Sequence, residues 1–111
     1  MKTADLIGPA LDWAVDKAEG HIRPDGGYYC GQHGVSRRYS TDWAQGGPII
    51  ERERITVQFG PLWTAVHSKR LGRPSYGPTP LVAAMRCFVA SRLGDKVDVP
   101  DDLWQFEDKE Q

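Results

Sequence analysis

Cysteine is scarce in this chain. Cys30 and Cys87 are its only two among 111 residues, too few for the disulfide framework that staples small secreted domains. No apolar run approaches the roughly 18 residues of a membrane span, so no membrane association is predicted. The N-terminus, Met1-Lys2-Thr3-Ala4-Asp5, lacks the basic stretch and following apolar stretch of a secretory signal, and the expected compartment is the cytoplasm. Phosphate-cradling signatures are missing as well, with no Gly-x-x-x-x-Gly-Lys-Ser/Thr and no Gly-x-Gly-x-x-Gly. Asp12, Asp16, Asp42, Glu51 and Glu53 fall into no spacing that marks an acid/base pair. Cys30 and His33 make half a zinc site, with His21 and His67 scattered elsewhere, whereas zinc needs about four ligands. Cys87, between Arg86 and Phe88, has no paired histidine and reads as a small buried filler. Cys30, in a glycine-rich loop near His33, is the better nucleophile candidate of the two. These gaps favour a non-catalytic protein that needs no metal and no cofactor.

What is present is an ordinary globular balance, 40% apolar and 26% charged, in a length that suits one domain. Four Trp, four Tyr and three Phe exceed what a minimal core requires. Charge is unevenly spread. Residues 1–20 have net charge −2, residues 21–94 net +6 and residues 95–111 net −5. Arginine dominates the basic middle, and its planar fork suits phosphate and carboxylate better than lysine does. That middle is either a solvated surface balanced on folding or an anion-binding face. The near-neutral total argues against tight duplex DNA binding, which needs a strongly basic domain.

The local patterns predict a small α+β domain, with two main helices packed on a short antiparallel sheet and a loop-rich middle. Pro9 and Gly20 bracket a helix over 9–19, and Ala10, Leu11, Ala14, Val15 and Ala18 form its apolar stripe. Trp13 lies off that stripe, as a second packing contact or an exposed partner surface. Residues 23–48 are rich in glycine and proline and read as loop, with Asp42 capping or turning the backbone and Gly46-Gly47-Pro48 as a turn. Tyr28, Tyr29, Tyr39 and Trp43 alternate there with Arg37 and Arg38, either to stack on a base or to pin the loop to the core. Residues 49–59 read as a strand, with Arg52 and Arg54 on one face, where they grip an anion or pair with acids on a neighbouring strand. Residues 62–67 read as its partner and 68–78 as loop. Thr79, Pro80 and Gly94 delimit a core helix over 80–93, whose arc is Leu81, Val82, Met85, Phe88, Val89 and Leu93. Arg92 snorkels from that arc near the helix end. Residues 1–106 are expected to be one domain and 107–111 an acidic disordered tail, with Val97, Val99, Leu103, Trp104 and Phe106 docking the segment before it.

Three stretches carry a resemblance. They are Ala10-Leu11-Asp12-Trp13-Ala14-Val15, then Ser40-Thr41-Asp42-Trp43-Ala44-Gln45-Gly46-Gly47-Pro48-Ile49-Ile50-Glu51-Arg52-Glu53, then Gly77-Pro78-Thr79-Pro80-Leu81-Val82-Ala83-Ala84-Met85-Arg86-Cys87-Phe88-Val89-Ala90-Ser91 continuing through Leu93-Gly94-Asp95 to Val97-Asp98-Val99-Pro100. Together these resemble the NinX family of small phage and prophage proteins. The resemblance implies a phage origin and expression in the cytoplasm of a bacterial host, and supplies no mechanism. A looser similarity links the layout to phage sponge proteins of the anti-Thoeris type, which hold a cyclic nucleotide immune signal between subunits of an oligomer with an Arg and an aromatic residue. That likeness implies such roles for Arg86 and Phe59.

The leading expectation is therefore a non-catalytic phage protein that sequesters a nucleotide-like anion, a cyclic nucleotide or an ADP-ribose type of ligand, against host defence. Arg86 would pair with phosphate, supported by Arg52 or Arg54, and Phe59, Trp63 or Tyr76 would stack on the base. Thr79 would offer its cap and the backbone N–H groups of a helix start. A homo-oligomer is expected, since a domain of this size with four Trp exposes apolar surface. The alternatives are an accessory protein that binds host or phage DNA-processing machinery through its acidic C-terminal segment, and a small nucleotide hydrolase.

Overall fold

Capping and periodicity place the first and last helices where the sequence predicts them. The computed structural model describes residues 2–22 and 38–100. Tyr28, Tyr29, Arg37, the Cys30–His33 pair, Trp104, Phe106 and the acidic tail lie outside the described residues. Helix α1 (Gly8–Ala18) carries Pro9 in its first turn and buries its predicted stripe, together with Asp16. Trp13 proves to be a packing residue, set against the core with the Lys17 ammonium 5.3 Å from its ring. Helix α3 (Pro80–Leu93) starts at Thr79, whose hydroxyl accepts from the Val82 N–H at 3.1 Å. The arc expected of α3 closes into nearly a full circle, because Ala83, Ala84 and Cys87 are buried too. A helix that is apolar all round belongs at the centre of its domain, and α3 packs against α1, the sheet and one further helix.

That further helix, α2 (Trp43–Glu53), corrects the expected strand over 49–59 and the expected turn at Gly46-Gly47-Pro48. Asp42 caps it, its carboxylate accepting from the Ala44 N–H at 2.9 Å and the Gln45 amide at 3.1 Å. Gly46 is there for packing. A Cβ on it would strike the carbonyl oxygen of Tyr39 and come within 2.7 Å of the Leu81 side chain. Pro48 forgoes one helical hydrogen bond, yet the cap and the burial of Ile49 carry the helix past it. The helix ends at Arg54, at φ 57° and ψ 54°, a left-handed position that a non-glycine residue seldom takes. Beyond it the Ile55 N–H reaches back to the Ile50 carbonyl at 3.0 Å, a helix-closing bond that turns the chain into the sheet.

The sheet is antiparallel, β1 (Thr56–Gln58), β2 (Trp63–Val66) and β3 (Ser75–Gly77) in that order. Only the end of the expected first strand survives as β1, and β3 arises within the expected loop. Val57 opposite Ala65 and Ala65 opposite Ser75 set the register. Gly77 lets β3 close on α3, since a Cβ there would lie 2.7 Å from the Ala83 nitrogen. The N-terminal segment meets the end of α3 as well: the Thr3 hydroxyl donates to the Gly94 carbonyl at 2.7 Å, and the Thr3 N–H to the Asp95 carbonyl at 2.8 Å. Val97 and Val99 are buried in the core. The whole is a small α+β fold of three helices and a three-stranded sheet among the described residues.

Candidate functional site

The end of α2, the start of the β2–β3 connection and the last turn of α3 converge on one cleft of about 640 Å³. Five cationic side chains line it, Arg52, Arg54, Lys69, Arg70 and Arg92, against one carboxylate, Glu53. That carboxylate is already committed. Its Oε1 accepts from His67 Nε2 at 2.9 Å, and its Oε2 accepts from Arg52 Nε and Arg92 Nη2, each at 3.0 Å. Arg52 also grips Glu19 with both terminal nitrogens, at 3.2 and 2.7 Å. Its guanidinium and that of Arg92 lie 5.5 and 5.1 Å from the centre of the Phe88 ring. The ring thereby gives the two cations a fixed apolar floor.

His67 orders the floor of the cleft. Only 3% of its surface is exposed. The Lys69 backbone N–H donates to its Nδ1 at 3.0 Å, so Nδ1 carries no proton and Nε2–H is the donor to Glu53. Burial by itself raises the Glu53 carboxyl, but the bonds from His67 and Arg52 and the charge of Arg92 outweigh it and hold the group down to about 2. Glu53 therefore stays ionised, and the cleft keeps a net surplus of positive charge. Arg54 and Lys69 have no carboxylate partner among the described residues. Arg54 owes its place in the cleft to its left-handed backbone at the helix end.

The structure divides the residues singled out from the sequence. Arg52 and Arg54 share the cationic cleft, as the end of a helix and its cap and not as one face of a strand. Arg86 lies elsewhere, its Nε donating to the Leu6 carbonyl and its Nη1 to the Tyr76 carbonyl, both at 2.7 Å. These bonds tie α3 to the N-terminal segment and to β3. Tyr76 stands half-exposed on the edge strand β3. Phe59 is 71% exposed and meets Trp63 edge-on at 5.0 Å, and neither lines the cationic cleft. Thr79 spends its hydroxyl on its own helix. Sequence reasoning missed Glu53, His67, Lys69 and Arg70 as members of a site. Glu53 and Arg52 adjoin in sequence, but no local signal links them to residues 67–70 or to Arg92.

A second polar cluster is structural. Asp16 accepts from the Tyr39 hydroxyl at 2.8 Å and from His21 at 3.0 Å. Asp12, one turn earlier, accepts from the Ser40 N–H at 2.8 Å, and burial raises its carboxyl against the lowering effect of Ser40. Together they moor the 38–42 corner onto α1. Cys87 is buried, and burial pushes its thiol up to about 11 despite the nearby charge of Arg70, as a filler residue requires. Among the described residues, no three His, Cys, Asp or Glu side chains gather closely enough to hold a metal ion, and no helix is long and apolar enough to cross a membrane.

Fold and site define a small α+β domain with an arginine-lined cleft. The chain belongs to the family described as Bacteriophage P22, NinX, whose model matches residues 2–92. The match takes in all three helices and strands down to Arg92, the last cleft arginine. No curated protein matches the chain.

Proposed function

We propose that this NinX protein binds a phosphate-bearing, nucleotide-like ligand in the cationic cleft and retains it without turnover. The observation that carries this reading is the ratio of charge: five cations face the cleft, and its single carboxylate is fully engaged by three of its neighbours. Arg52 and Arg92 are held in position by acids and by the Phe88 ring, while Arg54 and Lys69, without a carboxylate partner among the described residues, remain for an incoming anion. Preorganised forks of this kind suit phosphate. The spent chemistry of the described residues around it supports holding rather than cleaving. His67 has both ring nitrogens engaged, and the Cys87 thiol is buried and protonated at neutral pH. In a phage protein, such retention would lower the free concentration of a nucleotide signal used in bacterial defence.

Native mass spectrometry with a panel of cyclic and linear nucleotides tests the reading. An intact ligand mass that survives purification and leaves unchanged on heating is the expected result. A clean protein mass with every member of the panel would sink it, and a cleaved ligand would make the protein a hydrolase. The same spectra report the oligomeric state. Self-association is the second reading, favoured by the exposed Phe59 and Leu62 at the β1–β2 turn and Leu71 in the next connection.

A further inference from the structure

The cationic cleft does not stop at Arg70. That side chain also walls a second cleft of about 370 Å³, which contains Arg73 and Asp95. Pro74, Ser75, Tyr76, Ala90 and Asp95 in turn wall a third, of about 410 Å³, that extends to Ala4 and Arg86. Shared walls make the three clefts neighbours along the β2–β3 connection, from Lys69 to Tyr76. Their character changes on the way. The first is dominated by guanidinium and ammonium groups, whereas the third sets the apolar walls of Ala4, Pro74, Ala90 and the half-exposed Tyr76 ring beside the charged Lys2, Arg86, Asp95 and Lys96.

We infer that these clefts form one two-part site for a nucleotide of at least dinucleotide size, with phosphates on Lys69, Arg70 and Arg73 and a base laid against Tyr76. The inference rests on the phosphate-binding reading above and adds where the base goes. A base needs a flat apolar wall, and an aromatic ring supplies one without regard to base identity. A phosphate needs forks and point charges, and the connection presents three of them in sequence. Asp95 sits between the two parts, 3.3 Å from Arg73 and 4.0 Å from Arg70. Its carboxylate is 72% exposed, and ion pairs this open exchange at little cost. A ligand phosphate therefore displaces Asp95 and takes over both arginines.

Calorimetric titration of the full chain with inorganic pyrophosphate, adenosine monophosphate and the linear dinucleotide pApA separates the two claims. Pyrophosphate binds, pApA binds more tightly than either other probe, and Asp95→Asn strengthens both pyrophosphate and pApA. Tyr76→Ala weakens pApA about tenfold and leaves pyrophosphate unchanged, while Tyr76→Phe, which keeps the ring, retains pApA affinity. The half-exposed position of Tyr76 keeps both variants folded, and circular dichroism checks this. If pyrophosphate binds but pApA is no tighter, or is indifferent to Tyr76→Ala, the base cleft is wrong and the phosphate reading stands. If adenosine monophosphate matches pApA, the size of the ligand is wrong. If none of the three probes binds, the phosphate reading falls and takes this inference with it.

Discussion

At the scale of single residues, Glu53 carries the most. Its carboxyl lies well below the ordinary 4.5 in the folded protein, at about 2. The stability it contributes is therefore present in full above pH 4.5 and is lost as pH falls through that window towards 2. Urea denaturation at pH 6, 4 and 3 is expected to show this decline, and Glu53→Gln is expected to flatten it. An unchanged slope in the variant would contradict the assignment. His67→Ala strands the Lys69 N–H and one Glu53 oxygen, and is expected to cost about 1–3 kcal/mol in the same assay at neutral pH. The raised thiol of Cys87 predicts that a Cys30→Ser variant shows no thiol reactive towards Ellman's reagent until it unfolds. Prompt reaction of the folded variant would mean that Cys87 is not shielded.

Elements raise a different matter, the contest between propensity and packing. Helices α1 and α3 were legible because their signals are local: proline in the first turn, a hydroxyl or glycine at an end, and apolar side chains three and four apart. Helix α2 was not legible. Gly46, Gly47 and Pro48 each disfavour a helix interior, and the alternation of Ile49, Ile55, Val57 and Phe59 reads as a strand. What decides for helix is a close approach to Tyr39 and Leu81 that only Gly46 permits. Strand β3 was missed for a related reason, since its three residues become a strand by pairing with β2, which no local signal records. Gly77→Ala tests the tight side of this packing. Its Cβ would meet the backbone of Ala83, which cannot move without shifting α3, and a loss of about 1–3 kcal/mol is expected from chemical denaturation. Asp42→Ala removes the cap of α2 and is expected to cost about 1 kcal/mol. A wild-type midpoint in either variant would show that the contact is not what fixes the element.

For the molecule as a whole, the question is how a chain of net charge −1 presents a cationic cleft. Folding gathers arginines from the end of one helix, a strand connection and the end of another helix, and matches their acids only in part. Binding of pyrophosphate should therefore weaken steeply with added salt, because exposed charges are screened. Arg54 and Lys69 hold no ion pair among the described residues, so Arg54→Glu with Lys69→Glu is expected to abolish that binding while leaving the denaturation midpoint within experimental error of wild type. Binding that survives the double reversal would place the ligand elsewhere.

The sequence by itself determined the two proline-led helices, the core stripe and arc, the α+β class and the family, because each is written in neighbouring residues. It also marked Arg52 and Arg54, although as strand residues. Only the tertiary structure decided that they belong with Glu53, His67 and Arg92, that Arg86 braces the N-terminal segment, and that Tyr76 borders the neighbouring clefts along the β2–β3 connection. The reason is physical. Capping and amphipathic spacing act over one or two helical turns, whereas a charged cleft is made by side chains 14 to 39 positions apart, and no local pattern records which of them will meet.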